Sequence, residues 1–153
     1  GEAHGLANVG YKAIDSLRLE KSYKVWGADL TEEDNPFEAG LGMFVRFDKP
    51  DFIGRAALEK VKRDGPQRLL STFSLGEYCE LFGGEAIYAG GKHVGYATSA
   101  GYGQTVGRSI VLGYVPAAAT RAPAFAVEAD GRMIEATRHE AALYDPKHQR
   151  LRD

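Results

Sequence analysis

The chain has 153 residues, 44% hydrophobic and 26% charged, with 19 lysines and arginines against 21 acids for a net charge of −2. That is enough chain to bury a real interior, and its composition excludes a disordered tail, a collagen-like repeat and a disulfide scaffold. Balanced charge gives no global positive field and no apolar run approaches the roughly 18 residues of a membrane-crossing helix, so neither nucleic acid nor a membrane is expected as a partner.

The first residues, Gly1-Glu2-Ala3-His4-Gly5, lack an initiator methionine and a signal-peptide pattern, and they read as the inside of a longer polypeptide. Residues 7–22 have a helical rhythm: Val9, Ala13 and Leu17 recur every four positions, with Tyr11 and Ile14 alongside. Arg18 falls on the border of that apolar face. The stretch that follows is rich in turn formers and acids, and Thr31 to Asp34 forms a capped helical turn that Pro36 stops. Residues 40–47 predict a strand, and Asp51 an N-cap for a helix over 52–64 that Gly65-Pro66 ends. From Arg68 the pattern changes to short strands over 69–75, 85–89, 92–97, 109–115, 125–129 and 132–137. Gly90-Gly91 and Asp130-Gly131 are two-residue hairpin signals. The predicted class is α+β: a helical and mixed segment followed by a small antiparallel barrel or sandwich.

Few residues announce chemistry. Gly101, Gly103 and Gly107 free backbone amides that can cradle an anion, but the spacing is neither the phosphate loop nor the dinucleotide fingerprint, so a bulge or tight connection is favoured. Tyr96, Thr98, Ser99 and Tyr102 are available to line a pocket. His4, His93, His139 and His148 are scattered without metal-site spacing, so no metal ligand is named. Cys79, the one cysteine, has no histidine near it in sequence and reads as a plain structural thiol. Arg18 must reach an anion or solvent; spacing alone favours an ion pair with Asp15 or another acid. Tyr23 and Trp26 either anchor a core or stack on a planar ligand, with the core favoured. No catalytic residue is assigned.

Longer stretches go further. Asp15-Ser16-Leu17-Arg18-Leu19-Glu20, then Tyr23 to Thr31 (YKVWGADLT), Pro36 to Gly42 (PFEAGLG), Asp48-Lys49, Asp51 to Arg55 (DFIGR) and Gly95-Tyr96-Ala97-Thr98-Ser99 follow one another in order. Together they resemble the C-terminal part of the glycine-cleavage T-protein (aminomethyltransferase) family, and most of all its dimethylglycine and sarcosine dehydrogenase branch. The resemblance implies that residues 1–65 complete a folate-binding α+β region and that 67–153 form the family's C-terminal β-barrel. It implies tetrahydrofolate as cofactor, with FAD held only by an N-terminal dehydrogenase domain outside this chain. It implies a small methylated amine as substrate of the full-length protein, association with the N-terminal region, and a cytoplasmic location, or the mitochondrial matrix in a eukaryote. Arg18, gripping the glutamate tail of folate, Trp26, packing on the flat ligand, and Tyr144 are the cofactor-binding residues it implies. The family's catalytic aspartate and its pterin-holding acid lie upstream of the residues present, so this chain alone is not expected to catalyse transfer. Thr98-Ser99-Ala100, where the family usually has Thr-Ser-Gly, suits the dehydrogenase branch better than the T-protein itself but leaves a folate-dependent demethylase as an alternative; a non-catalytic docking module is a separate one.

Overall fold

The computed structural model describes residues 1–152. Helix α1 (Tyr11–Glu20) is followed by an irregular stretch, helix α2 (Arg55–Asp64) and then six strands: β1 (Arg68–Leu75), β2 (Ala86–Ala89), β3 (Lys92–Gly103), β4 (Arg108–Pro116), β5 (Phe125–Ala129) and β6 (Arg132–His139). The strands close into an antiparallel barrel in the order β1-β4-β3-β2-β5-β6. The fold is therefore α+β, as the element pattern predicts.

Turn chemistry sets the two tight hairpins. Gly90 and Gly91 have φ of 55° and 79°, and Asp130 and Gly131 have 55° and 67°. Positive φ at both central residues matches the twist of the flanking strands, which glycine and aspartate tolerate best. β1 instead pairs with β4 and β6, closing the barrel through Phe73↔Val111 and Phe73↔Arg138. Phe73, Leu75, Ile87, Val111, Val115, Phe125, Val127 and Ile134 fill the interior. β4 is apolar without alternation because both its faces are covered: Val111 and Val115 point inward, while Ile110 and Leu112 pack with Leu19 of α1 on the outer wall. Gly113 in this strand has no room for a side chain, since a Cβ there would lie 2.5 Å from Ile87 Cδ1 and 2.6 Å from the Tyr96 carbonyl oxygen.

Two local expectations are corrected. Residues 40–47 form no strand; Gly42–Phe44 is a single 3₁₀ turn. A Cβ at Gly42 would lie 2.8 Å from Phe37 Cδ1, so the chain folds back on Phe37 here instead of extending. Asp51 does not cap α2. Gly54, at φ 88°, precedes the first helical residue, Arg55, and the Asp51 carboxylate accepts from its neighbour Phe52 N at 2.8 Å. The apolar face of α1 also does not meet the barrel: Val9, Tyr11, Ile14 and Leu17 are all more than half exposed. The helix rests on β3 and β4 through Ser16, Leu19 and Glu20 instead.

Candidate functional site

α1 reaches the barrel through a buried charge cluster. The Asp29 side chain is fully buried. Its carboxylate accepts from Arg18 Nη1 at 3.0 Å, from the Val25 amide at 3.0 Å and from the Thr98 hydroxyl. Arg18 also donates from Nε to Asp15 Oδ1 at 3.0 Å and from Nη2 to Ser99 Oγ at 3.0 Å. Of the five guanidinium N–H groups, these bonds use three, leaving one on each terminal nitrogen. Each partner has a local reason to be there. Arg18 lies one helical turn after Asp15, and the turn at 25–30 is tied by Gly27 N to Leu30 O at 2.7 Å and Asp29 N to Val25 O at 2.9 Å. A register shift between Ala97 and Ser99 turns the Thr98 and Ser99 hydroxyls to this cluster. A buried carboxylate survives only when its lone pairs are satisfied, and here three donors do so.

The surroundings are charged as well. The Tyr114 hydroxyl donates to the Asp29 carbonyl at 3.0 Å, and burial, then the Asp34 carboxylate nearby, push its pKa far above the usual tyrosine range. Arg68 lies over the Tyr114 ring at 4.6 Å and pairs with Asp34 at 2.9 Å. Burial lowers the pKa of Lys24, and the Asp29 charge opposes that shift.

A second anion site is filled from within. The Glu20 carboxylate, 1% exposed, accepts from the Thr105 and Val106 amides of the β3–β4 connection, the latter at 3.1 Å. The amides that Gly103 and Gly107 make available thus hold the protein's own anion. Tyr144 sits at the same end of α1. Its amide donates to the Glu20 carbonyl at 3.0 Å, and the Lys21 ammonium and the Arg150 guanidinium lie 6.0 Å and 5.4 Å from its ring centroid.

The three residues singled out in the sequence therefore occupy different settings. Arg18 is held by an ion cluster, as its spacing favoured. Trp26 is 69% exposed beside the Asp29 turn, and so is not a core anchor within this chain. Tyr144 packs at the helix end. A cleft of about 670 Å³ between α1 and the barrel is lined by Lys12, Asp15, Ser16, Tyr78, Phe82 and Tyr102, among others, but by none of those three. Cys79 is buried, and burial followed by the nearby Asp130 charge raises its pKa, which suits an inert thiol. Sequence reasoning missed Asp29, which lay unremarked among turn formers; its place eleven residues after Arg18, inside the YKVWGADLT signature, was the available signal.

Comparison with known proteins agrees with this architecture. Residues 68–145 match the glycine cleavage T-protein C-terminal barrel domain, and residues 1–49 match the GCVT N-terminal domain. Human mitochondrial sarcosine dehydrogenase is 36% identical over 99% of this chain and 18% of its own length. Human mitochondrial dimethylglycine dehydrogenase is 40% identical over 76% of the chain and 14% of its length. The chain thus spans less than a fifth of these curated relatives. The glycine cleavage system aminomethyltransferase T from Bartonella henselae superposes with a TM-score of 0.80 at 26% identity, over 90% of this chain and 40% of that one. Two family models, relatives at 36% and 40% identity and a shared barrel give one conclusion: the chain belongs to the glycine cleavage T-protein family.

Proposed function

We propose that this chain is the C-terminal part of a tetrahydrofolate-dependent one-carbon transferase, carried on a sarcosine or dimethylglycine dehydrogenase-like polypeptide. The observation that carries the reading is the end-to-end match to sarcosine dehydrogenase at 36% identity. Tetrahydrofolate, when bound, supplies the amine nitrogen that accepts the one-carbon unit. The residues present suit a supporting wall for it. Arg18 keeps two N–H groups for a carboxylate while Asp29, Asp15 and Ser99 fix the plane of its guanidinium. Trp26 offers an exposed flat ring on the turn that Asp29 holds. Tyr144 is proposed on the same wall, with Lys21 and Arg150 beside its ring. Wall residues of this kind orient a ligand and exclude water; they move no proton. The flavin, the methylated amine and the acid–base groups belong to the rest of the polypeptide, and a mitochondrial location is proposed if the source is eukaryotic.

The test is tetrahydrofolate titration of the complete natural polypeptide, followed by fluorescence. Trp26→Ala removes an exposed ring, so it is expected to leave stability unchanged and to weaken binding about 5- to 30-fold, the equivalent of ~1–2 kcal/mol of lost stacking. Unchanged affinity would remove Trp26 from the site, and absence of any folate binding by the polypeptide would overturn the reading.

A further inference from the structure

The C-terminal end of α1 is covered by residues that follow the barrel. Leu143 packs with Leu19, Ile110 and Leu112, and the Tyr144 amide donates to the Glu20 carbonyl at 3.0 Å. One residue further on each side, the Lys21 ammonium donates to the Asp145 carbonyl at 2.7 Å and lies 3.3 Å from its Oδ2. A lysine at a helix C-terminus ordinarily serves the helix's own last carbonyls or solvent. Here it is aimed at a residue 124 positions away, and both side chains are enclosed, at 13% and 10% exposure. Asp145 Oδ1 accepts from the Gln149 amide at 2.8 Å, and the His148 ring stacks on Tyr23 with centroids 6.3 Å apart. Backbone strain gathers around the pair. Ser22, next to Lys21, has φ of 52°, Asp145 has 40° and His148 has 53°, which is three of the four positive-φ residues other than glycine among the described residues. Such conformations persist only where surrounding contacts over-determine them, and they cluster at ligand clamps and switches.

We propose that Lys21 and Asp145 are positioning residues whose ion pair is a latch that holds Tyr144 in place on the ligand wall. Tyr144 is pinned on both sides along the chain, by its own amide on Glu20 and by the next carbonyl on Lys21. The Lys21 ammonium, 6.0 Å from the ring centroid, is at the limit of useful cation–π attraction, so it acts on Tyr144 through the backbone and not through the ring. Opening the latch strands an enclosed charge and leaves the segment one amide bond and the Leu143 contact. Neither neighbour depends on it for its fold. The barrel is complete at His139, and α1 keeps its ties to β3 and to the β3–β4 connection through Ser16 and Glu20. The latch therefore sets where Tyr144 stands and not whether the chain folds. This assignment rests on the reading of Tyr144 as a wall residue for folate, and adds what keeps it there.

The experiment uses the complete natural polypeptide and reads amide exchange without ligand, then tetrahydrofolate affinity. Lys21→Met keeps the aliphatic stem and removes the charge. It is expected to speed exchange at the Tyr144 and Gln149 amides at least about tenfold, to leave the melting temperature within about 2 °C, and to weaken tetrahydrofolate binding about 3- to 10-fold. Asp145→Asn keeps an acceptor for Lys21 and Gln149 and tolerates the positive φ, so both readings should stay within about threefold of wild type. Tyr144→Leu should weaken binding about as much as Lys21→Met, and the double variant no further, because the lysine acts through the tyrosine. Unchanged exchange in Lys21→Met would overturn the latch, and so would a melting temperature lowered by more than about 5 °C, which would make the pair a fold contact. A loosened segment with wild-type affinity would overturn the positioning role. Multiplied losses in the double variant would do the same, by placing Lys21 on the ligand itself. The two readings fail separately: a wild-type polypeptide that binds no folate sinks the functional reading, while faster exchange in Lys21→Met still supports the latch.

Discussion

Among the described residues, 16 of the 18 buried hydrophobics lie at Phe73 or beyond, and ten of the 14 large exposed ones lie at Ile53 or before. The barrel is a closed, mainly apolar interior, with buried hydroxyls such as Ser109 satisfied by backbone groups of Cys79. The segment before it is attached mainly by polar groups, Arg18, Asp29, Thr98, Ser99, Glu20 and two backbone amides, with Leu19 as its apolar contact on Ile110 and Leu112. Apolar burial scales with the area and volume filled, whereas a buried charge cluster strands an uncompensated charge when one partner is lost. Losses in the barrel should therefore follow the side-chain volume removed, and losses at the joint between the halves should follow whether a buried charge is left unpaired.

The largest effect expected on the chain itself is in the barrel. Phe73→Ala empties the centre of the interior beside Phe125, 5.1 Å away between ring centroids, and should cost about 3–5 kcal/mol by urea denaturation. Asp29→Asn strikes the joint. It keeps the shape but leaves the Arg18 guanidinium without its buried counter-charge, and a loss of about 2–3 kcal/mol is expected. If the two halves unfold separately, that loss will appear in exchange of α1 amides before it appears in the barrel. Ile53→Ser, at a fully exposed position, should lie within about 0.5 kcal/mol of wild type, and a larger cost would mean that the segment has a core of its own.

A modest effect is expected in pH dependence. His139 Nε2 lies 2.8 Å from Ser74 Oγ, and burial, then the Arg108 charge, holds its pKa below the ordinary imidazole value. A depressed pKa means the unfolded chain binds the proton more readily. The stability this histidine contributes is therefore full above about pH 6.5 and is lost as pH falls from there through its folded value. Between pH 7 and pH 5 the wild type should lose more melting temperature than His139→Gln, by about 1–3 °C.

What the sequence made legible follows from which forces are local. The hairpins at Gly90-Gly91 and Asp130-Gly131 were readable because a two-residue turn fixes its own backbone. The α1 helix was readable from its spacing. Which of its faces would meet the barrel was not, because periodicity reports that an apolar face exists and not which neighbour it serves. The misread strand at 40–47 has a similar cause. Its alternation is real, but all six barrel strands already have two partners, and contact with Phe37 bends the chain at Gly42. At the site, Arg18 was visible as a charge that needed an answer. Asp29 was not, since a carboxylate in a turn-rich stretch is ordinarily solvated, and one of its three donors is the Thr98 hydroxyl 69 residues away on β3.

The strand order has a consequence for synthesis. β1 leaves the ribosome first among the strands, yet both its partners come later: β4 begins at Arg108 and β6 at Arg132. Until then its apolar residues, Phe73 and Leu75 among them, have no ladder to join, while β2, β3 and β4 can zip as neighbours in sequence. Closing loops of this length is entropically slow, so the last event is the seating of the oldest strand. During translation the segment that waits longest is also one of the most water-averse, which makes β1 the stretch a nascent-chain chaperone would meet.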